Sequence, residues 1–259
     1  MQKIEDKLML VSVITPVHNS YELVEETIQS VLNQTFKDWE LILIDDKSSD
    51  NGLQILKKYE KLDPRIRLLE NSKNKGAALT RNRGIEAAKG RFIAFLDSDD
   101  LWEPTKLERQ LEFMTSNGFP FTFTAYRKFR DGEIVGVQDV PEKVNHKQLL
   151  KTCSIGCLTA IYDTDQLGKV YMPDISRRQD FALWLKLLKL VPFAYGLNEP
   201  LAKYRLRSDS ISGNKWKAAQ YQWRVYREFE HLNVFQAAYY FVNYTFFGVL
   251  KTYFHKAKK

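Results

Sequence analysis

The sequence predicts an α/β fold: a mainly parallel sheet flanked by helices, followed by a C-terminal helical extension. Short β-branched runs alternate with amphipathic segments of helical spacing along the first part of the chain. Such alternation implies right-handed βαβ crossovers between parallel strands. Polar clusters directly follow three of the β-branched runs, and sites in parallel sheets gather at the carboxyl ends of the strands.

The first strand is predicted at Val11–Val17, a β-branched run with Pro16 near its end. Apolar residues at helical spacing then predict a helix over Tyr21–Leu32. The same reasoning gives the next elements: strands at Glu40–Ile44, Ile66–Leu69 and Arg91–Leu96, and helices at Asn51–Tyr59 and Gly76–Ala88.

After about residue 105 the alternation loosens. An Asp131–Gly132 pair between two apolar runs predicts a hairpin turn. The remaining predicted elements are helices at Thr105–Ser116, Gln179–Leu190 and Lys215–Glu230, and strands at Phe121–Tyr126, Glu133–Val137 and Leu201–Arg207.

Composition is that of a globular protein, with 44% hydrophobic and 27% charged residues in a chain of 259. The net charge of +7 belongs to the tail, because residues 201–259 hold 11 Lys and Arg against 3 Asp and Glu. That excess suits an anionic membrane surface or phosphate groups. No nucleic-acid-binding motif accompanies it, so nucleic acid is not expected as a partner.

The two cysteines, Cys153 and Cys157, support neither a disulfide framework nor a four-ligand zinc site. Two reduced thiols are expected. The stretch Met1–Leu10 carries four charged side chains and no apolar run of signal-peptide length. A cytoplasmic location is therefore expected.

The aspartates in Phe95–Asp100 (FLDSDD) are the strongest candidates for a functional site. In an extended chain, Asp97 and Asp99 point to the same side. Paired carboxylates suit Mg²⁺ or Mn²⁺, which would neutralise the charge of a departing diphosphate. The alternative is a polar turn that caps the helix beginning at Thr105.

A second pair, Asp45 and Asp46, ends the second strand. The pair could cap the next helix together with Asp50, or accept a hydrogen bond from the imino group of a nucleotide base. Residues 17–22 read VHNSYE, so no G-x-G-x-x-G follows the first strand, and no Walker A sequence occurs. A dinucleotide site or phosphate-binding loop is therefore disfavoured.

Four motifs in this order make the chain resemble family 2 glycosyltransferases, which have a GT-A fold with a Rossmann-like sheet. They are VSVITPVHN, VLNQTF-x-x-WELILIDDKSSD, NKG-x-x-x-TRNRGIEAAKG and FLDSDDLWEPTKLERQ. The resemblance covers roughly residues 10–215. It is closest to bacterial enzymes that build surface polysaccharides such as teichuronic acid, capsule and O-antigen.

The resemblance implies roles for particular residues. Asp99 is the implied metal ligand, Asp97 contacts ribose or phosphate, and Asp46 contacts the base, usually uracil. Asp180 is the implied catalytic base, although Gln179 stands where the family usually has an acidic residue. The other residues implied to bind the nucleotide sugar are Pro16, Val17, Gly76, Arg81 and Ser98.

The stretch 204–215 (YRLRSDSISGNK) resembles the family's late loop that closes on the diphosphate. Arg207 stands where many relatives have a histidine, and could pair with phosphate oxygens instead of ligating metal. Lys215, Ser210 and Ser212 could assist. The alternative is a solvated basic loop.

Together these features imply an inverting, Mn²⁺- or Mg²⁺-dependent transfer from a nucleoside-diphosphate sugar, with UDP as the expected nucleotide. The expected acceptor is a hydroxyl of a glycan or lipid-linked saccharide. Two alternatives stay open: a nucleotidyltransferase, which usually has a glycine-rich phosphate loop, and a non-catalytic scaffold that binds nucleotide sugars.

Residues 1–215 are expected to form the catalytic domain, with a nucleotide-binding half at about 10–105 and an acceptor half at about 106–215. The extension, 216–259, includes a span without charge at Leu232–Leu250. Its many Tyr and Phe suit a membrane interface, so residues 231–259 could lie on the inner face of the cytoplasmic membrane. Packing on protein and spanning the membrane are the alternatives.

Overall fold

The first half of the chain alternates strictly between strands and helices. The computed structural model describes residues 10–207 and 215–256. In chain order, the elements of this half are β1 (Val11–Val17), α1 (Val24–Leu32), β2 (Trp39–Asp45), α2 (Gly52–Leu62), β3 (Ile66–Glu70), α3 (Ala77–Ala87) and β4 (Phe92–Phe95). Each of these seven elements was predicted, with bounds that differ by at most three residues.

The second half is less regular. Its elements are β5 (Leu101–Trp102), α4 (Lys106–Asn117), β6 (Phe121–Arg130), β7 (Glu133–Gln138), β8 (Lys143–Val144), α5 (His146–Lys151), β9 (Ile161–Asp163), α6 (Thr164–Leu167), α7 (Gln179–Leu190), β10 (Ala194–Arg205), α8 (Lys215–Arg224) and α9 (Val234–Lys256). A 3₁₀ turn at Cys157–Thr159 precedes β9, and a π-helical turn at Val225–Phe229 follows α8.

The strands form one sheet in the order β3-β2-β1-β4-β9-β6-β10-β5, with β7 added to β6 and β8 to β10. Strands β1 to β4 are mutually parallel, as predicted, and β6 and β10 are parallel to each other. The short strand β9 runs antiparallel to both β4 and β6 and joins the two groups. The sheet is therefore mixed as a whole and parallel where the predicted site lies.

Strand β2 is buried along its whole length, because helices cover both faces of the sheet. Its side chains alternate between two cores: Ile42 and Ile44 pack on one side, and Leu41 and Leu43 on the other. Burying each of these side chains contributes roughly 1.5–3 kcal/mol. This packing fixes the position of the carboxyl end of β2 in the sheet, and therefore the positions of Asp45 and Asp46.

Strand β10 departs most from its prediction. It begins at Ala194 rather than Leu201, and it ends at Arg205. Its pairing with β6 shifts register on both sides of Pro200, which cannot donate a ladder hydrogen bond. The hairpin turn is confirmed, since Asp131 and Gly132 adopt positive φ angles of 50° and 83°.

The C-terminal helix α9 packs on the preceding part of the chain. Ala237 is fully buried, Phe241 lies against Trp223, and Tyr244 contacts Phe181 of α7 at 6.4 Å between ring centroids. The opposite side of α9 exposes a row of apolar side chains at helical spacing: Phe235, Tyr239, Val242 and Phe246. Over the described part of the chain, no helix combines the length and apolarity needed to cross a membrane.

Candidate active site

The three polar clusters predicted to converge do meet at one edge of the sheet. Strand β1 lies between β2 and β4, and all three run in the same direction. Beyond their ends, His18 Nδ1 lies 3.0 Å from the carbonyl oxygen of Asp46. The hydroxyls of Ser20 and Ser98 are 2.7 Å apart. The loops after β1, β2 and β4 therefore form one continuous surface.

Asp46 holds the loop that leads into α3. Its carboxylate accepts the backbone N–H groups of Lys75 and Gly76 and the side-chain amide of Asn71, each at 2.8 Å. Burial acts to raise the pKa of Asp46, but these hydrogen bonds, with a further one from Thr80, hold it below its usual value. The carboxylate is therefore ionised, and most of its acceptor capacity is taken by the protein.

Gly76 has a positive φ of 79° at the start of α3. A β-carbon added there would meet no atom within 4 Å, so the backbone conformation rather than crowding requires glycine. That conformation aims its N–H at Asp46. Asp45 makes a separate turn by accepting the N–H of Ser48 at 3.2 Å. Neither Asp45 nor Asp46 caps α2, whose N-cap residue is Asn51, so the capping alternative for this pair is wrong; only Asp50 contacts the start of that helix, by accepting the N–H of Gly52.

Arg81 connects the aspartate cluster to the second half of the site. It is only 5% exposed, and its Nη2 donates a hydrogen bond to Asp97. Its Nε and Nη1 have no hydrogen-bond partner among the described residues. Burial acts against the charge, but the carboxylates of Asp97 and Asp180 keep the pKa of Arg81 above its ordinary value.

Strand β10 reaches the same cluster from the late part of the chain. The backbone N–H of Arg205 donates to Asp100 at 2.8 Å, and its Nε donates to the carbonyl oxygen of Asp99 at 2.8 Å. Arg207 lies 3.8 Å from the Asp99 carboxylate. The structure thus brings Arg207 and the aspartates together, as the resemblance implied.

Asp97 and Asp99 suit a divalent cation. Each side chain is 31% exposed, and both offer hard carboxylate oxygens. Burial and the neighbouring charge of Asp97 raise the pKa of Asp99, with Arg207 opposing, so a cation there would relieve the repulsion. The described residues contain no group of three His, Cys, Asp or Glu able to enclose a metal. Mg²⁺ is commonly held by one or two carboxylates plus substrate phosphates, so this pair fits such an ion.

Asp180 lies in the first turn of α7, and its carboxylate, like that of Asp97, raises the pKa of Arg81. The residue before Gln179, Arg178, has a left-handed φ of 65°. In place of the acidic residue usual in the resembled family, Gln179 has a buried Oε1 that accepts no hydrogen bond from the described residues. No carboxylate therefore stands beside Asp180 at the start of α7.

The other predicted residues are distributed as follows. Pro16 is partly exposed at the end of β1, whereas Val17 packs in the core and reaches the site only through its carbonyl, which accepts the N–H of Asp46. Ser98 is buried against Ser20. Lys215 begins α8, and its side chain, like Ser210 and Ser212, lies outside the described residues.

Two residues of this site were missed by sequence reasoning. The thiol of Cys157 lies near Arg81 and Asp97, and burial raises its pKa well above the ordinary value. Arg205 holds the aspartate turn through its backbone and side chain. Only the basic run around residues 203–207 pointed to Arg205, and no local pattern pointed to Cys157.

Comparisons with known proteins agree with this geometry. A family model described as glycosyl transferase family 2 matches residues 12–162. Over 237 residues the chain is 48% identical to TuaG of Bacillus subtilis (strain 168), a protein assigned to teichuronic acid biosynthesis as a glycosyltransferase. That alignment covers 91% of this chain and 94% of TuaG. The chain belongs to glycosyltransferase family 2.

The chain is also similar to WfgD of Escherichia coli, a UDP-Glc:alpha-D-GlcNAc-diphosphoundecaprenol beta-1,3-glucosyltransferase. It is 42% identical over 243 residues, covering 93% of this chain and 94% of WfgD. Among solved structures, TarS 1–349 of S. aureus in complex with UDP-GlcNAc has a TM-score of 0.70 at 22% identity. It covers 85% of this chain and 67% of that one. The expected GT-A fold of this family 2 glycosyltransferase is thereby confirmed.

Proposed function

We propose that this family 2 glycosyltransferase transfers a sugar from a UDP-sugar, with inversion, to a hydroxyl of a lipid-linked saccharide during bacterial surface polysaccharide biosynthesis. One observation carries the proposal: buried Arg81 donates a hydrogen bond to Asp97 and is close enough to Asp180 for that carboxylate also to stabilise its charge. The residues suited to the leaving group and the residue suited to the acceptor thus belong to one site. The substrates in the names of WfgD and of the TarS complex support the choice of donor and acceptor.

In the proposed reaction, Asp180 accepts the proton of the acceptor hydroxyl. The acceptor oxygen attacks the anomeric carbon on the face opposite the diphosphate. A bond forms between that oxygen and the anomeric carbon, the bond from the anomeric carbon to the diphosphate oxygen breaks, and UDP departs with both electrons. Mn²⁺ or Mg²⁺, held by Asp99 with Asp97, would supply charge neutralisation to the departing diphosphate.

The remaining residues of the site bind the nucleotide sugar in this proposal. Arg207 and Lys215 pair with phosphate oxygens, and the unpartnered donors of Arg81 bind the sugar or the phosphates. Asp46 supports the base pocket by holding the loop at 71–76, and a direct bond to the base requires exchange of one present partner. The other residues assigned to this pocket are Pro16, Val17, Gly76 and Ser98.

We further propose that residues 10–105 bind the nucleotide, that residues 106–215 bind the acceptor, and that the extension at 216–259 lies against the inner face of the cytoplasmic membrane. The exposed row on α9 gives the physical basis, since aromatic side chains favour the membrane interface. Lys147 and Lys151 of α5 lie beside this row, and Lys151 is 5.5 Å from the ring of Tyr239. Basic side chains there would favour anionic lipids.

The reaction class is tested by incubating the protein with a panel of nucleotide sugars and Mn²⁺, with and without EDTA. Release of a nucleoside diphosphate from one donor, abolished by EDTA, is expected even without acceptor. UDP binding is measured in the same samples. Release of pyrophosphate would instead indicate a nucleotidyltransferase, and binding of no nucleotide at all would contradict the proposal.

A further inference from the structure

We infer that Arg178 binds a phosphate group of the acceptor, next to the hydroxyl that Asp180 deprotonates. The inference rests on the proposed function and extends it, because it assigns the residue that selects a phosphate-linked acceptor. It concerns the acceptor side of the site, away from the aspartates suited to the donor diphosphate.

Arg178 is half-buried and lies two residues before Asp180. Its guanidinium lies 5.1 Å from the ring centre of Tyr244 in α9, and the Tyr244 side chain favours the charged form of Arg178. Among the described residues, no carboxylate lies within ion-pairing distance of Arg178. Three other shielded arginines differ in this respect, since each is paired with a carboxylate: Arg81 with Asp97, Arg91 with Asp163, and Arg205 with Glu26.

Burial acts against the charge of Arg178, and Tyr244, Cys153 and Asp180 favour that charge without forming an ion pair, so the pKa of Arg178 is raised and its guanidinium is charged and available to a bound anion. Phosphate is the suitable anion, because the forked donors of arginine match two of its oxygens. Asp180 alone does not fill this role, since its carboxylate is beyond ion-pairing distance and is reserved for the acceptor proton. The forked donors of Arg178 therefore fit a phosphate that arrives together with the acceptor.

The lipid source of this phosphate is supported by WfgD, a relative whose name specifies a diphosphoundecaprenol-linked acceptor. Tyr244 projects from α9 towards α7 and Arg178, whereas Phe235, Tyr239, Val242 and Phe246 project from the opposite, exposed side of the same helix. A lipid-linked acceptor with its phosphate at Arg178 and its first sugar at Asp180 would have its hydrocarbon chain pass around α9 to reach the exposed row. A soluble phosphorylated sugar would have no use for the exposed row.

The test is a binding titration on the full chain, saturated with UDP and with Mn²⁺ in excess over total diphosphate, so that the donor site is occupied. Geranyl diphosphate is the probe, and geraniol and inorganic pyrophosphate are the comparison ligands. The variants are Arg178→Gln and Arg178→Lys. Arg109→Gln is the matched control, because it removes one positive charge from an exposed ion pair on α4.

The wild type is expected to bind geranyl diphosphate more tightly than geraniol or pyrophosphate. Arg178→Gln should weaken that binding by about 10- to 100-fold, as expected for losing hydrogen bonds from a charged group, with UDP affinity unchanged. Arg178→Lys should lose less, and Arg109→Gln nothing. Equal binding by Arg178→Gln and wild type, or no binding of geranyl diphosphate by the wild type, would overturn the inference.

Preference for pyrophosphate over geranyl diphosphate would also overturn it, because the source would then be a free phosphate. Failure of the proposed function gives a different pattern, in which UDP itself does not bind and no donor is hydrolysed. A purely structural role for Arg178 would lower thermal stability and UDP affinity together, which thermal unfolding and a separate UDP titration of the same variants measure.

Discussion

Arg81 donates a hydrogen bond to Asp97 from a nearly buried position, whereas the Asp97 side chain remains 31% exposed. Packing in the core thus fixes the Arg81 guanidinium, and the guanidinium in turn holds the Asp97 carboxylate at the edge of the cleft. This asymmetry makes Arg81 a support for the aspartate pair as well as a candidate ligand of the donor.

Arg81→Met is therefore expected to lower both stability and donor affinity. Breaking a fully buried ion pair costs about 3–5 kcal/mol, and the partial exposure of Asp97 reduces the expected loss to about 1–3 kcal/mol. Urea unfolding and UDP titration measure the two effects. Arg109→Met breaks an exposed pair with Glu199 and should cost no more than about 1 kcal/mol. Equal losses in the two variants would contradict the assigned role.

Asp180→Asn should reduce turnover by about 10²–10⁴-fold while leaving UDP affinity unchanged, because the amide cannot accept the acceptor proton. The measurement is kcat for transfer, together with the Kd for UDP. Asp174→Asn is the matched control, an exposed aspartate in the segment that leads to α7. A near-normal rate in a folded Asp180→Asn protein would remove Asp180 from the mechanism.

Asp99→Asn should stabilise the metal-free protein at neutral pH. The pKa of Asp99 is raised in the folded state, so the folded protein binds more protons between the unfolded and folded values, and stability falls as pH rises through that window. Asparagine does not ionise, so the variant does not lose this stability. A difference of about 1 kcal/mol in the free energy of unfolding would correspond to a Tm gain of roughly 2–4 °C. The gain should shrink as the pH is lowered towards 4, near the unfolded pKa of about 3.9.

The same two proteins test the metal site. Mn²⁺ should raise the Tm of the wild type and leave that of Asp99→Asn almost unchanged, because a ligand stabilises only the form that binds it. The comparison is made by thermal unfolding with UDP present, with and without EDTA. An equal Mn²⁺ response in both proteins would exclude Asp99 as a ligand.

Gly76→Ala should destabilise the protein by about 1–2 kcal/mol, the cost of a left-handed conformation for a residue with a β-carbon. It should also weaken UDP binding, because the N–H that Asp46 accepts would be displaced. Gly136→Ala is the control: its added β-carbon also meets no atom within 4 Å, but its φ is not positive. Chemical unfolding of both variants separates conformation from crowding.

The membrane proposal is tested with Phe235→Ser/Phe246→Ser, which leaves the packed side of α9 intact. Cosedimentation with vesicles containing anionic lipid should fall by about 10-fold or more, since each buried aromatic contributes about 1.5–3 kcal/mol. Ile134→Ser/Val137→Ser removes comparable exposed apolar side chains from β7 and should change nothing. Deletion of α9 is less informative, because it would uncover Phe181 and Tyr226.

The first half of the fold was predictable because each strand there is a short β-branched run closed by polar residues. Strands β5, β8 and β9 were missed, since two or three residues carry no periodicity. These short segments are strands because they pair with neighbouring strands of the sheet: β5 and β8 with β10, and β9 with β4 and β6. The start of β10 was predicted too far along the chain because Asn198, Glu199 and Pro200 interrupt the alternation of apolar residues. In the structure, β6 pairs with β10 on both sides of this interruption.

The candidate site was predictable as far as the chain carries local motifs. The aspartates, Arg81 and Arg207 do lie close together, and their roles in binding and catalysis are still predictions. The sequence could not reveal that Asp46 is already engaged by Lys75 and Gly76, because those bonds depend on how the loop folds back. Cys157 is brought to the site by the sheet order alone.

The link between Arg205 and Asp100 spans 105 positions in the chain, and it bears on when the enzyme gains activity during synthesis. The first half can pair its strands with sequence neighbours, so we expect it to fold early, whereas the β6–β10 pairing must wait for a distant segment. A ribosome-bound chain that ends before residue 180 would carry Asp97 and Asp99 without Asp180, Arg205 or Arg207. With the roles proposed for these residues, unfinished chains would not hydrolyse the donor, because the proposed site is complete only after β10 has been made.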